Sequence, residues 1–187
     1  MKDIEIELRF EVRAQDVKTS ITQFLQTHAT LIKETHQKDT YFSHKEFLDV
    51  LPPIKRLRVR VSDKGSTINR KDRKVVDGVN QNYCDEYETP IQDAETMTKI
   101  LTALDIKPIV IVDKKRKVYQ YQDTEISVDE VQNLGTFIEL EASGEFESIE
   151  IARNKLYHIA QELGLQKQWQ EQEGGYAYLA LKREGIL

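Results

Sequence analysis

The stretch "IEIELRF", residues 4–10, decides how the chain is read. Every second residue is apolar (Ile4, Ile6, Leu8, Phe10), and between them stand Glu5, Glu7 and Arg9. Successive side chains of a β-strand point to opposite faces, so the alternation predicts a strand with one apolar and one charged face. Which face turns inward is the question. Carboxylates in water are ordinary; carboxylates facing an interior make a site.

Working outward, the same alternation predicts strands over 3–13, 31–42, 55–61, 66–71, 83–89, 108–121, 124–131 and 136–142. Turns are expected at "LPP", "DKG", "VVDGVNQN" and "QNLG". Three stretches carry the helical period instead. In "QDVKTSITQFLQTH" the apolar face is Val17, Ile21, Phe24 and Leu25, with Asp16 as the expected N-cap. In "QDAETMTKILTALDI" Asp93 caps a face of Ala94, Met97, Ile100, Leu101 and Leu104. In "ESIEIARNKLYHIAQELGL" Ser148 caps a stripe of Ile149, Ala152, Leu156, Ile159 and Leu163, and Gly164 suits the helix end. A short last helix is expected in "GYAYLALKR". No Gly/Ser or Pro-rich joint divides the chain, so one α+β domain over residues 1–187, with a mostly antiparallel sheet, is expected.

Composition narrows the function. At 187 residues the chain can bury a real core, and 39 % apolar with 32 % charged residues describes a soluble, charge-rich domain. No apolar run is long enough to span a bilayer and no signal segment is seen, so no membrane association is expected. A single cysteine, Cys84, excludes an internal disulfide and fits the cytoplasm. A net charge of −5 argues against a nucleic-acid partner.

The charged strand faces carry the chemistry. Glu5, Glu7 and Arg9 share one parity, as do Arg56, Arg58 and Arg60, Glu86 and Glu88, Lys114 and Arg116, and Glu139 and Glu141. For any one strand, charges in water beside a half-buried apolar face suffice as an account. Together the signs are sorted, and clustered like charges cost free energy. A divalent cation would compensate the glutamates and a phosphate chain the bases. The order of parts also repeats weakly, each half opening on paired glutamates (Glu5/Glu7, Glu86/Glu88), followed by a helix and then strands with alternate bases. Amphipathic helices need the apolar strand faces, which turns the charged faces toward one another, as a sheet closed into a barrel permits.

On these residues the chain resembles the CYTH superfamily, the triphosphate tunnel metalloenzymes, and within it the class IV adenylate cyclase-like subgroup. The resemblance runs in order through "EIELR", "QKDTYF", "KRLRVR", "INRK", "DEYETPI", "ILTALDI", "DKKRKVY", "ISVDEV" and "LGTFIELE", residues 4 to about 142. It implies a closed antiparallel eight-stranded barrel with helices outside and a charged tunnel within. It also implies a soluble enzyme, monomer or homodimer, dependent on Mg²⁺ or Mn²⁺ and acting on a triphosphate-containing small molecule.

Carried over by position, Glu5, Glu7, Glu139 and Glu141 are the implied metal ligands, with Glu139 and Glu141 shared between metal and nucleophile positioning. Glu86, Glu88 and Asp129 are further acidic tunnel positions counted with the metal set. Arg56, Arg58, Arg60, Lys71, Lys114 and Arg116 are the implied phosphate grips. Arg9 stands where lysine is usual and joins the catalytic set; arginine keeps the charge but does not give up a proton. Cys84 stands where many relatives carry a base.

Hydrolysis of an inorganic, nucleoside or thiamine triphosphate is the expected reaction, because water needs no ribose or adenine site. Class IV-type cyclisation of ATP to cyclic AMP and pyrophosphate is the alternative, and non-catalytic binding of polyphosphate or a nucleotide a second. Elsewhere His28, His36, His44 and His158 are scattered without zinc-like spacing. Asp39 and Tyr41 share a strand face that could orient tunnel groups or simply be hydrogen-bonded structure. The segment 72–78 reads as a hairpin connection, and Trp169, Tyr176 and Tyr178 as packing for the C-terminal tail.

Overall fold

The computed structural model describes residues 6–43, 55–76, 79–142, 146–169 and 175–187. Its elements are β1 (Glu7–Val12), α1 (Gln15–His28), β2 (Thr30–Ser43), β3 (Lys55–Ser62), β4 (Gly65–Val76) and β5 (Val79–Ile91). They continue with α2 (Ala94–Ala103), β6 (Lys107–Tyr121), β7 (Thr124–Val131), β8 (Gly135–Ala142), α3 (Ile149–Glu162), a 3₁₀ turn (Lys167–Trp169) and α4 (Tyr176–Arg183). The repeat anticipated from the sequence is thus real as an order of elements: β-α-β-β-β occurs twice before the last helices.

The eight strands form one antiparallel sheet in the order β1-β8-β7-β6-β2-β3-β4-β5. Outward from its middle, β6-β7-β8-β1 mirrors β2-β3-β4-β5, so the first strand of each repeat pairs with the last strand of the other. Among the described residues the outermost strands, β1 and β5, are not hydrogen-bonded neighbours. As a ladder the sheet is open, where the sequence reading expected closure.

The chain forms two compact units. One holds β1, α1, β7, β8, α3 and the 3₁₀ turn; the other holds β3, β4, β5, α2 and α4; β2 and β6 each contribute to both. In the first unit the opening question is answered. Ile6, Leu8, Phe10 and Val12 are all buried in one core with Ile21 and Leu25 of α1, Leu140 of β8 and Ala152, Leu156 and Ile159 of α3. The apolar face of β1 belongs to the helices, and Glu7, Arg9 and Glu11 take the other side. Trp169 packs against this core, as expected of it. In the second unit Phe42, Val59 and Leu101 centre a smaller core with Leu57, Ile68, Ala94 and Met97. Here α2 buries less than its pattern promised, since Ile100 and Leu104 are exposed.

Caps follow the sequence with one exception. Asp93 accepts from the amides of Glu95 and Thr96, and Ser148 from that of Ile151. Asp16 is not the cap of α1: Ala14 holds that position without a side-chain bond, and Asp16 lies inside the first turn, where its charge favours the positive helix end. The C-terminal ends of α2 and α3 are built alike. In α3, Leu165 N–H bonds Ala160 C=O at 2.8 Å and Gly164 has φ +72°. In α2, Ile106 N–H bonds Leu101 C=O at 2.9 Å, but the left-handed position is Asp105, at φ +61°. Strands β4 and β5 run further than the pattern showed, making one long hairpin with an irregularity between Arg73 and Val75. Among the described residues no helix is long and apolar enough to cross a membrane.

Candidate active site

The polar face of the second unit is laid out in rows by the ladder register. Arg56 lies opposite Lys71, and Lys71 opposite Glu86. Next come Tyr41, Arg58, Asn69 and Glu88, then Asp39, Arg60 and Thr67, then Gln37 opposite Ser62. Residues two apart on a strand share a face and lie about 7 Å apart, so the rows form a graded surface, charged at one end and neutral at the other.

Asp39, fully buried at 0 % exposure, anchors it. Arg60 donates to its carboxylate from Nε at 2.6 Å and from Nη2 at 2.7 Å. Burial alone would raise the Asp39 pKa; the Arg60 hydrogen bond and the charges of Arg58, Arg60 and Lys114 outweigh it and hold the carboxyl below its ordinary value. Arg58 is held more loosely, with Nη1 3.5 Å from Asp39 and Nη2 3.6 Å from Glu88, and its buried Nε has no partner among the described residues. Burial opposes its charge, but Tyr41, Asp39 and Glu88 raise its pKa. Lys71 pairs with Glu86 at 2.9 Å. Asn69 donates its amide to Glu86 at 2.5 Å and to Glu88 at 3.1 Å, tying the two acids to the face. Lys114 is buried at 4 % exposure, with its ammonium 4.9 Å from the centre of the Tyr176 ring at the start of α4.

The first unit repeats the clamp with other surroundings. Asp129, also 0 % exposed, receives Arg116 Nε at 2.7 Å and Nη2 at 2.5 Å. Arg116 Nη2 also reaches Glu139 at 3.1 Å, and Arg9 donates from Nε to the same Glu139 oxygen at 3.1 Å. Arg9 Nη2 reaches Glu7 at 3.3 Å. Glu7 lies opposite Glu141, and Glu141 opposite Glu125, which makes a row of three glutamates across β1, β8 and β7.

The structure therefore brings Glu7, Arg9, Arg116, Asp129, Glu139 and Glu141 onto the face of the first unit, and Arg58, Arg60, Lys71, Glu86 and Glu88 onto that of the second, with Lys114 in the second unit. Glu5 lies outside the described residues, as does His44; Arg56 and Cys84 have described backbones only. Among the described residues no three His, Cys, Asp or Glu side chains converge as metal ligands. The histidines serve elsewhere: His28 donates to the Phe24 carbonyl at 3.0 Å, His36 pairs with Asp113 at 2.6 Å, and His158 lies 3.5 Å from Glu162.

Sequence reasoning passed over Asn69, Thr67, Gln37 and Glu125, and read Tyr176 only as packing. Neutral residues carry no sorted charge to notice. Glu125 stands alone as an acid in "TEISV", and only the register to Glu141 and Glu7 reveals its row. Parity was the available signal, since Thr67 and Asn69 share it with Lys71, and Gln37 with Asp39.

The chain is similar to known proteins over most of its length. The CYTH domain family matches residues 3–174. A protein of Methanocaldococcus jannaschii named a "putative adenylate cyclase" is 31 % identical over 138 residues, 74 % of this chain and 77 % of that protein. The solved PH1012 protein of Pyrococcus horikoshii superposes with TM-score 0.71 at 26 % identity, over 90 % of this chain and 94 % of that one. A Hippeastrum "putative adenylyl cyclase" described as having a dominant triphosphatase activity superposes with TM-score 0.64 at 22 % identity, over 99 % and 97 %.

Proposed function

Because the chain belongs to the CYTH family, we propose that its charged sheet faces bind a triphosphate and that the protein is a divalent-metal-dependent triphosphate hydrolase. In this reading residues 1–187 act as one domain, its sheet curling into the eight-stranded tunnel of the family, in the cytoplasm. The observation that carries it is Arg58: a half-buried guanidinium whose ion pairs are long, with its buried Nε unmet among the described residues, on a face that also holds Lys71. A bound phosphate oxygen meets that donor. The other grips are Arg56, Lys71 and Lys114, with Lys114 steadied by Tyr176. Arg60 and Arg116 have their forks filled by buried aspartates and act first as supports for the neighbouring cations.

Mg²⁺ or Mn²⁺ suits the first unit, because a row of glutamates at cross-strand spacing repels itself and gains from a cation. Glu5, Glu7, Glu139 and Glu141 would hold it, with Glu86, Glu88 and Asp129 as further acids of the tunnel. When bound, it supplies charge neutralisation at the phosphate chain and a more acidic water.

The rest is done by the chain. The bases bind and straighten the triphosphate, so the developing charge meets donors already in place. Glu139 and Glu141 orient the attacking water. Arg9 is a positioning residue for Glu139 and Glu7, since a guanidinium there holds carboxylates but does not give up a proton.

The cyclase name of the Methanocaldococcus jannaschii relative favours a second reading, attack by the ribose 3′-hydroxyl of ATP on its α-phosphate. A product assay with Mg²⁺ or Mn²⁺ and, separately, ATP, thiamine triphosphate and tripolyphosphate tests both. Orthophosphate release supports hydrolysis, and cyclic AMP with equal pyrophosphate overturns it. If no product forms while triphosphate still binds, the protein is a binding module.

A further inference from the structure

We propose that Tyr41 is a positioning residue for Arg58: its hydroxyl holds the guanidinium in place without cancelling its charge, so that the grip stands ready for a phosphate. The inference rests on the triphosphate reading above and deepens it. It gives Tyr41 a task on the strand face it shares with Asp39.

Among the described residues Asp39, Glu88 and Tyr41 offer acceptors to Arg58, and the first two are committed elsewhere. Asp39 takes Arg60 Nε at 2.6 Å and Arg60 Nη2 at 2.7 Å, while Arg58 Nη1 stays 3.5 Å away. Glu88 Oε2 accepts from Asn69 at 3.1 Å, while Arg58 Nη2 stays 3.6 Å away. Tyr41 is buried on β2 and lies directly opposite Arg58 in the register. A hydrogen bond joins the two side chains. A guanidinium has donors only, so the arginine donates and the phenolic oxygen accepts.

The kind of acceptor decides what is left for a ligand. A carboxylate at short range offsets the charge of the guanidinium it holds, as Asp39 does for Arg60. A phenol is uncharged near neutral pH, so it fixes orientation and leaves the positive charge in force. Arg58 is thus oriented by a neutral group, with two anionic ones at the outer limit of hydrogen-bond length. Its buried Nε is a donor left over for an incoming oxygen. Without the hydroxyl, the pull of Asp39 and Glu88 on the guanidinium is no longer opposed by that bond. A guanidinium drawn onto either acid would have to be freed before it could take a phosphate. A donor already in place spares that reorganisation.

The test titrates wild type, Tyr41→Phe, Arg58→Ala and the double variant with tripolyphosphate and Mg²⁺ by calorimetry, beside ligand-free melting temperatures. The Arg58 Nε–H signal of the ligand-free protein, assigned by its loss in Arg58→Ala, is followed by nitrogen NMR. We expect Tyr41→Phe to bind about fivefold more weakly than wild type, the scale of one hydrogen bond, and to move the Arg58 signal. In the Arg58→Ala background the same change should cost nothing further, since a positioning residue acts only through what it positions. Equal binding by wild type and Tyr41→Phe overturns the proposal, as does an Arg58 signal that does not move. A loss that persists in the Arg58→Ala background overturns it too. The hydroxyl would then act on the ligand or on the fold at large, which the melting temperatures tell apart. If wild type does not bind tripolyphosphate, the triphosphate reading fails and Tyr41 loses its phosphate role with it. The NMR signal needs no ligand, so it separates that failure from a failure of the hydroxyl to hold Arg58.

Discussion

The two compact units use the same device for opposite ends. In each, a fully buried aspartate receives the two-pronged grip of an arginine on a strand of the same sheet: Asp39 with Arg60, Asp129 with Arg116. What surrounds the clamp differs. Around Asp129 the arginines also bind Glu139 and Glu7, and Glu141 and Glu125 continue an acidic row. Around Asp39 stand Arg58 and Lys114, close enough to lower its pKa. The same clamp thus supports an acid-rich face in one unit and a base-rich face in the other. In the proposed reading the first face is the one suited to a cation and the second the one suited to a phosphate chain.

The largest expected effect is on the clamps. Arg60→Ala and Arg116→Ala each remove the two-pronged partner of a buried carboxylate, which should cost about 3–5 kcal/mol of stability. Urea unfolding of both measures it, and a small loss in either would break the parallel between the units. Arg58→Ala should do the reverse. Its ion pairs are long, so it should lose much less stability than Arg60→Ala, yet kcat/KM should drop roughly 100- to 1000-fold, as for other transition-state charge donors. Steady-state kinetics beside the unfolding curve separates support from grip.

Acid sharpens the comparison further. Since the Asp39 pKa is lowered on folding, its contribution to stability is complete above the ordinary aspartate value of about 3.9 and is lost as pH falls through the lower folded value. Melting temperatures taken from pH 5 to pH 2 should fall less steeply in Asp39→Asn than in wild type. The smallest effect concerns the helix ends. Asp105 occupies in α2 the left-handed position that Gly164 holds in α3, so Asp105→Gly should gain about 0.5–1 kcal/mol and Gly164→Asp lose a similar amount, read by thermal unfolding.

Much of this was legible in the sequence, and the remainder shares a physical reason. Period and caps are local, so all eight strands, four helices and the Asp93 and Ser148 caps could be read directly. Asp16 misled because an acid in the first turn and an acid at the cap look alike one residue apart. The alternation of Glu7 with Arg9 and of Glu139 with Glu141 located the charged faces. Partners across strands could not be read, because register is long-range: the grip of Arg60 on Asp39, the bridge of Asn69 between Glu86 and Glu88, and the Glu7–Glu141–Glu125 row appear only once the ladder is known. Closure of the sheet was expected from the resemblance and from the need to cover charge, whereas the hydrogen-bonded ladder ends at β1 and β5.

The most direct test of the account is a calorimetric titration of wild-type and Arg58→Ala protein with tripolyphosphate, with and without Mg²⁺. The account predicts that wild type binds, that Mg²⁺ tightens binding, and that Arg58→Ala binds at least about tenfold more weakly while its unfolding remains near wild type. Equal binding by the two proteins, or none by wild type in either condition, would contradict the assignment of the base-rich face to phosphate.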